Sequence, residues 1–137
     1  MKSLLLIIFL LISLRAASPD LNLLFIESSE PVYAFDRLID AIVLVECGGN
    51  FGAYNIEEEA TGPFQIRPIR LNDYNKRTGE SYILDDCYNY EISKKIFLYY
   101  ANLTGYPHYE KIAKDWNGSG PMTIDYWKKV RLKIKPA

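Results

Sequence analysis

The carboxyl group of Glu46 lies where the sequence could make it a general acid. An apolar stripe with the spacing of one helical face precedes it, formed by Phe35, Leu38, Ile39, Ile42 and Val43. Glu46 continues this stripe and Gly48-Gly49 follows, so its carboxyl group is expected on the core side of a helix end, although a helix-end Glu can also tilt out to water. Burial and the negative end of the helix dipole would raise its pKa. A carboxyl group that is protonated near neutral pH can donate a proton to a leaving oxygen, as glycosidic-bond cleavage requires.

A polar segment from Asn50 to Ile66 follows and predicts two or three short strands with a turn. Gly62-Pro63 imposes an irregular backbone before Phe64-Gln65-Ile66. The acidic run Glu57-Glu58-Glu59 lies in this hairpin, and glycoside hydrolysis needs a second carboxylate, for which Glu59 and Glu57 are the candidates. A run of three like charges is otherwise typical of a solvated hairpin tip.

Two blocks of residues together resemble the signature of the lysozyme superfamily. The first is Glu46 to Asn50 with Ala53, Asn55 and the segment Ala60 to Ile66; the second is Ile112 to Pro121 followed by Tyr126-Trp127. The Gly-Pro-Phe-Gln-Ile form is most similar to invertebrate-type lysozymes, and the layout resembles the soluble lytic transglycosylase domain. The resemblance implies an α+β, mainly α, lysozyme-like fold, with a small β-hairpin lobe beside a helical lobe.

The resemblance also implies an activity and a set of site residues. The activity is cleavage of the β-1,4 bond between N-acetylmuramic acid and N-acetylglucosamine in peptidoglycan, with Glu46 as general acid and base. Substrate-binding roles carry over to Gln65, Asn55, Trp116 and Asn117, with Gln65 bonding to sugar or orienting the acid, Trp116 stacking on a sugar face and Asn117 bonding to the sugar. Without the resemblance, Gln65 would be interpreted as an exposed strand residue and Trp116 as a core residue.

The sequence departs from the vertebrate-type lysozymes at Ala60, which stands where they carry an Asp. With one secure acid, the chain resembles lytic transglycosylases, in which a single Glu protonates the glycosidic oxygen and then removes a proton from the muramyl 6-hydroxyl. Hydrolysis and anhydro-forming transglycosylation therefore both remain open. The alternative from another class is a non-catalytic, lysozyme-fold subunit that binds glycan or takes part in an envelope assembly.

The N-terminal segment has the features of a secretory signal peptide. Lys2 is followed by an apolar run from Leu4 to Leu14 and by small residues, and the run is shorter than the roughly twenty residues that a bilayer span needs. We expect residues 1–17 to be a signal peptide, residues 18–29 a lead-in and residues 30–137 the catalytic domain of a secreted or periplasmic protein. Cleavage after residue 16 would leave 14 basic and 17 acidic residues, and this balance gives no electrostatic case for binding nucleic acid.

Helices are predicted on both sides of the hairpin. We expect the helix that ends at Glu46 to be capped by Ser29, and Arg67 to Tyr82 to be a loop with at most one helical turn at Ile69 to Tyr74. A longer helix is expected from Cys87 or Tyr90 to Leu103, capped by Asp85-Asp86 and stopped by Gly105.

The remaining segment predicts a short helix, a loop and a final helix. The short helix is expected from Tyr106-Pro107 through Ala113, and the loop from Asn117 to Gly120. Pro121 would open the last helix, whose predicted inward residues are Met122, Trp127 and Val130.

The two cysteines, Cys47 and Cys87, predict either one disulfide in an exported protein or two buried free thiols. His108 is the only histidine and has no motif around it, which argues against a catalytic thiol, a zinc site and a Ser-His-Asp hydrolase. We expect a monomer that binds an amino-sugar polymer and uses no metal or cofactor.

Overall fold

The apolar stripe before Glu46 forms helix α1, Asp36–Cys47, in a computed structural model that describes residues 34–134. Gly48 ends the helix in the left-handed conformation, with φ at 60°, and its N–H donates to the carbonyl of Leu44. The predicted end of this helix is therefore confirmed. The helix begins later than predicted because Ala34 and Phe35 form a turn, and the predicted cap at Ser29 lies outside the described residues.

The hairpin contains two short antiparallel strands, β1, Tyr54–Asn55, and β2, Ala60–Thr61. Tyr54 is opposite Thr61 and Asn55 is opposite Ala60, while Thr61 also forms a single bridge with Ile66. Gly62 follows with φ at 76°, and a Cβ atom at this position would lie 2.0 Å from the carbonyl oxygen of Cys87. The end of the hairpin thus packs directly on the backbone near Cys87, and only glycine allows that approach.

The segment after the hairpin is a helix, α2, Pro68–Thr78, and the predicted loop from Arg67 to Tyr82 is wrong. Pro68 occupies the first turn, where its missing N–H costs no hydrogen bond. Leu71 and Tyr74, one turn apart, are buried, and Gly79 closes the helix in the left-handed conformation. Burial of this face outweighs the weak helix propensity of Asn72, Asp73 and Asn75.

A 3₁₀ helix, Leu84–Tyr88, leads into the long helix α3, Tyr90–Thr104. The cap of α3 is Asn89, whose Oδ1 accepts hydrogen bonds from the backbone N–H of Glu91 at 2.9 Å and of Ile92 at 3.2 Å. The predicted capping by Asp85-Asp86 is therefore wrong for this helix. Asp86 instead accepts from the N–H of Ile83, at 2.8 Å, within the 3₁₀ segment.

The last two helices are α4, Tyr109–Asn117, and α5, Met122–Lys133. Helix α4 begins and ends later than predicted, so Asn117, the first residue of the predicted loop, lies with Trp116 in its last turn. Helix α5 begins directly after Pro121, close to the predicted start. Of the predicted inward residues, Val130 is confirmed, Trp127 is only partly buried against the core, and Met122 is wrong. Met122 is 79% exposed, whereas Tyr126 is only 8% exposed and Val130 is fully buried.

The helices pack around a core in which α5 contacts α1 and α4, and α3 contacts α4. Phe64, from the end of the hairpin, enters this core with its ring 5.2 Å from that of Phe97 and 6.4 Å from that of Trp116. The described residues are therefore mainly helical with one small antiparallel sheet, as the predicted fold class requires. Among these residues, none of the helices combines the length and apolar character needed to cross a bilayer.

Candidate active site

The Glu46 carboxyl group lies at the end of α1 against the inner face of α5. The hydroxyl group of Tyr126 donates a hydrogen bond to Glu46 Oε1 at 2.6 Å. Burial raises the pKa of Glu46 to about 7, and this effect exceeds the opposing effects of the Tyr126 hydrogen bond and of the nearby Arg67 charge. Loss of solvent is thus the main cause of the raised pKa, and Glu46 can be a protonated acid at neutral pH.

A polar cleft of about 240 Å³ opens beside Glu46. Its walls come from the hairpin, the start of α2, the end of α4 and the segment that leads into α5. The lining residues are Glu46, Glu58, Gln65, Arg67, Arg70, Trp116, Asn117, Ser119 and Met122. The structure therefore brings together four of the residues that the sequence predicted, namely Glu46, Gln65, Trp116 and Asn117.

Gln65 lies in the wall of the cleft in a conformation that non-glycine residues rarely adopt, with φ at 46°. Its Nε2 donates to the carbonyl of Gly62 at 2.9 Å and to that of Ala53 at 3.3 Å. These two bonds hold the two arms of the hairpin together and fix the side chain. Of its amide group, the oxygen is the atom left to bind a ligand.

Trp116 and Asn117 line the cleft from the last turn of α4. The Trp116 side chain is mostly core, because the residue is 5% exposed and its Nε1 donates to the carbonyl of Phe64 at 3.3 Å. The guanidinium group of Arg70 lies 4.5 Å from the ring centroid. Trp116 thus supplies an apolar wall under Arg70, and the stacking of a sugar on its open face would require Arg70 to move.

The other predicted residues of the hairpin do not line the cleft. Asn55 is exposed, and its Oδ1 accepts hydrogen bonds from the N–H groups of Glu57 at 3.0 Å and Glu58 at 3.3 Å, so it stabilises the turn. Glu57 and Glu59, the candidate second carboxylates, are exposed and do not line the cleft. The acid of this run that does line it is Glu58, which the sequence did not distinguish from its neighbours because a turn breaks strand alternation.

Two arginines in the cleft were missed at the sequence level. Arg67 Nη2 donates to the carbonyl of Asn117 at 2.7 Å, and its Nη1 lies 3.7 Å from Glu58 Oε1. Arg70 Nη2 donates to the carbonyls of Asp115 at 3.2 Å and Trp116 at 3.0 Å. Pro68 is the signal that could have found them, because proline is favoured as the first residue of a helix. Arg67 and Arg70 are three residues apart, so a helix that begins at Pro68 places them about one turn apart at its start.

Tyr126 was also missed, because Trp127 was taken as the inward residue of the last helix. Burial and the charge of Glu46 raise the pKa of Tyr126, so its hydroxyl group stays a hydrogen-bond donor to the acid. The spacing of Tyr126 and Val130, four residues apart, is the signal that would have given the correct face.

The structure shows Cys47 and Cys87 as free thiols. The Cys47 thiol donates to the carbonyl of Val43 at 3.2 Å, and Cys87 is buried in the core. Burial raises the pKa of both thiols, that of Cys87 to about 12, which disfavours a catalytic thiolate. The disulfide stays a prediction, which a thiol count on protein purified without reductant would check.

Comparisons of the chain with protein-family models, with curated proteins and with solved structures find no match. A function for this chain therefore has to be argued from the chemistry of its own cleft. Within residues 34–134, no group of three or more His, Cys, Asp and Glu side chains could hold a metal ion.

Proposed function

We propose that the protein cleaves the β-1,4 bond between N-acetylmuramic acid and N-acetylglucosamine in peptidoglycan, as a lytic transglycosylase or muramidase with a lysozyme-like fold. The observation that supports this most directly is the Glu46 carboxyl group, with a pKa of about 7, in the wall of a polar cleft. A general acid is most effective when its pKa lies near the working pH, because it can then both give and take a proton.

In the proposed first step, Glu46 donates its proton to the glycosidic oxygen and the bond from that oxygen to C1 of the muramyl residue breaks. Positive charge develops on the sugar ring, and Glu46 becomes a carboxylate. The Tyr126 hydroxyl group, 2.6 Å from Oε1, stabilises that negative charge. Because Oε1 accepts this bond, Oε2 is the oxygen that would carry the exchanging proton.

In the second step, a hydroxyl group attacks C1 and gives its proton to the Glu46 carboxylate, which restores the acid. We infer that the substrate's own 6-hydroxyl is this nucleophile, which gives an anhydro product. Glu57 and Glu59 are exposed on the hairpin, and Glu58, the only carboxylate besides Glu46 among the described residues that line the cleft, faces Arg67. If water attacks instead, the product is a reducing end and the role of Glu46 is unchanged.

The second candidate function is a non-catalytic subunit that binds glycan through the same cleft. The observation that favours it is the pairing of Glu58 with Arg67, which leaves no unpaired second carboxylate there. Such a subunit would bind peptidoglycan and leave every glycosidic bond intact.

The release of muropeptides from purified peptidoglycan separates these functions. We expect the wild-type protein to release them and Glu46→Gln to lose about 10²-fold to 10⁴-fold in rate, the usual contribution of a general acid. Glu57→Gln is the matched control, because it makes the same chemical change at an exposed position of the hairpin. Equal release by wild type and Glu46→Gln would reject the proposed catalytic role, and binding without release would support the non-catalytic subunit.

A further inference from the structure

Two guanidinium groups, those of Arg67 and Arg70, line the cleft beside Glu46. Both are held by backbone carbonyls at the end of α4, Arg67 by Asn117 and Arg70 by Asp115 and Trp116. Their heads are therefore fixed before any ligand arrives. A fixed guanidinium group binds an anion with little further loss of side-chain entropy.

The positive charge of these groups is only partly matched within the cleft. Arg67 Nη1 lies 3.7 Å from Glu58 Oε1, which is an ion pair but is too long for a hydrogen bond. Arg70 forms no ion pair with a carboxylate anywhere in the described part of the chain. Its guanidinium group instead lies over the rings of Trp116 and Tyr100, at 4.5 Å and 4.9 Å from their centroids.

This environment makes the Arg70 charge costly in the absence of a ligand. The group is half-buried, and loss of solvent lowers the pKa of its guanidinium. The aromatic rings and the carbonyls compensate part of that cost, yet they are neutral. A carboxylate from a ligand would compensate the rest.

The balance of charge in the cleft also favours a negatively charged ligand. When Glu46 is protonated, the lining residues carry two positive charges and one negative charge, although the whole chain has a formal net charge of −1. With Glu46 protonated, the net charge of the cleft lining is therefore opposite in sign to that of the whole chain, which favours an anionic ligand in the cleft.

We propose that Arg67 and Arg70 form a subsite for a carboxylate of the glycan substrate. The inference rests on the proposed function and names the substrate class more narrowly. The carboxylate belongs to the muramyl residue, either on its 3-O-lactyl group or on the peptide attached there. Neutral N-acetylglucosamine polymers such as chitin lack this group and are therefore poor ligands.

The ion pair between Glu58 and Arg67 must be broken before a ligand can bind Arg67 at that position. Glu58 pairs with Nη1 of Arg67, and a neutral ligand has no charge with which to displace it. A carboxylate can replace Glu58 and form hydrogen bonds shorter than the present 3.7 Å separation. The cleft thus discriminates between carboxylate and neutral ligands, because only a charged ligand compensates for the loss of the weak Arg67–Glu58 pair.

Calorimetric titration of the full chain tests this subsite in a Glu46→Gln background, where ligands are not cleaved. The three ligands are neutral chitotetraose, the N-acetylglucosamine–N-acetylmuramic acid tetrasaccharide with lactyl carboxylates, and the same tetrasaccharide with a peptide on each lactyl group. We expect a carboxylate ligand to bind about tenfold or more tightly than chitotetraose, the factor of one charge-assisted hydrogen bond. Preference for the second ligand identifies the lactyl group as the source, and preference for the third identifies the peptide.

Arg67→Gln and Arg67→Lys, added to this background, connect the preference to the subsite. The preference should disappear in Arg67→Gln and be partly kept in Arg67→Lys, whose ammonium group retains the charge. Arg131→Gln is the matched control, because Arg131 is exposed on α5 and does not line the cleft. Circular dichroism on each variant establishes that it is folded.

The outcomes separate this inference from the proposed function. Equal binding of the three ligands, no glycan binding at all, or a preference unchanged in Arg67→Gln would each overturn the carboxylate subsite. Wild-type cleavage of peptidoglycan with equal binding would remove the subsite and leave the proposed activity standing. Selective binding of the carboxylate ligands without any cleavage by the wild type would support the subsite and reject the activity.

Discussion

The Tyr126 hydroxyl group donates a hydrogen bond to Glu46 Oε1 across 2.6 Å, between residues that are 80 positions apart in the chain. The contact exists because α1 and α5 pack against each other in the helical core. The position of the acid relative to its hydrogen-bond donor therefore depends on the packing of α1 against α5.

Tyr126→Phe should shift the pH dependence of cleavage. The hydrogen bond from Tyr126 lowers the pKa of Glu46, so its removal raises that pKa and moves the basic limb of the kcat/KM profile to higher pH, by about one unit. Muropeptide release measured across the neutral range checks this. Tyr88→Phe, at an exposed residue, is the control, and a basic limb that stays in place or moves to lower pH would contradict the prediction.

Glu46 should also make the folded state less stable as the pH rises. Its pKa rises from 4.5 to about 7 on folding, so between these values the folded state holds more protons than the unfolded state. The free energy of unfolding then falls with increasing pH in this window, by up to roughly 3 kcal/mol from this group, and levels off above about pH 7.

Urea unfolding of wild type and Glu46→Gln at pH 5 and pH 8 measures this effect. The stability of the variant relative to wild type should increase between the two values, because Gln does not ionise. Glu57→Gln makes the same chemical change on the exposed hairpin. If the free energies of unfolding of wild type and Glu46→Gln differ by the same amount at both pH values, the Glu46 carboxyl group is not desolvated.

Glu58→Gln distinguishes the two nucleophiles. If the substrate's 6-hydroxyl attacks, the variant keeps anhydro-muramyl products, since Glu58 is only the partner of Arg67 at 3.7 Å. Mass spectrometry of the released muropeptides, with Glu57→Gln alongside, reads the product ends. Reducing ends from wild type that vanish in Glu58→Gln would instead assign Glu58 as the base that activates water.

Gly62→Ala should destabilise the protein by roughly 2–5 kcal/mol, because it adds left-handed backbone strain to a steric overlap. The added Cβ atom would lie 2.0 Å from the carbonyl oxygen of Cys87. Gly48→Ala is the matched control: its φ is also positive, at 60°, but no atom lies within 4 Å of the new Cβ. The difference in the free energy of unfolding between the two variants, measured with denaturant, gives the contribution of packing at Gly62. Equal losses of stability would show that the hairpin backbone shifts and relieves the overlap.

The sequence predicted the structure correctly where a residue pattern was compatible with only one kind of local structure. The stripe ahead of Glu46 and the double glycine after it allowed little other than a helix that ends beside a loop, and the structure has that arrangement. Gln65, Trp116 and Asn117 line the cleft, and their roles in binding a sugar stay predictions. Trp116 is only 5% exposed, which leaves little of its ring open for stacking.

The sequence was least informative where tertiary burial overrides local preference. Asn72, Asp73 and Thr78-Gly79 indicated a loop, but the burial of Leu71 and Tyr74 stabilises α2 there. Both cleft arginines were missed as a result, since their proximity depends on that helix. Glu58 was missed for a related reason, because the side-chain directions in a turn follow no simple period.

Phe64 is enclosed by Phe97 and Trp116, and Arg67 links the exit of the hairpin to Asn117 at 2.7 Å. The hairpin wall is thus anchored at two points to the helices across the groove. Under the proposed function, a glycan strand would therefore meet a hairpin wall that the described helices already hold in position. Little of the free energy of binding would then be spent on ordering that wall.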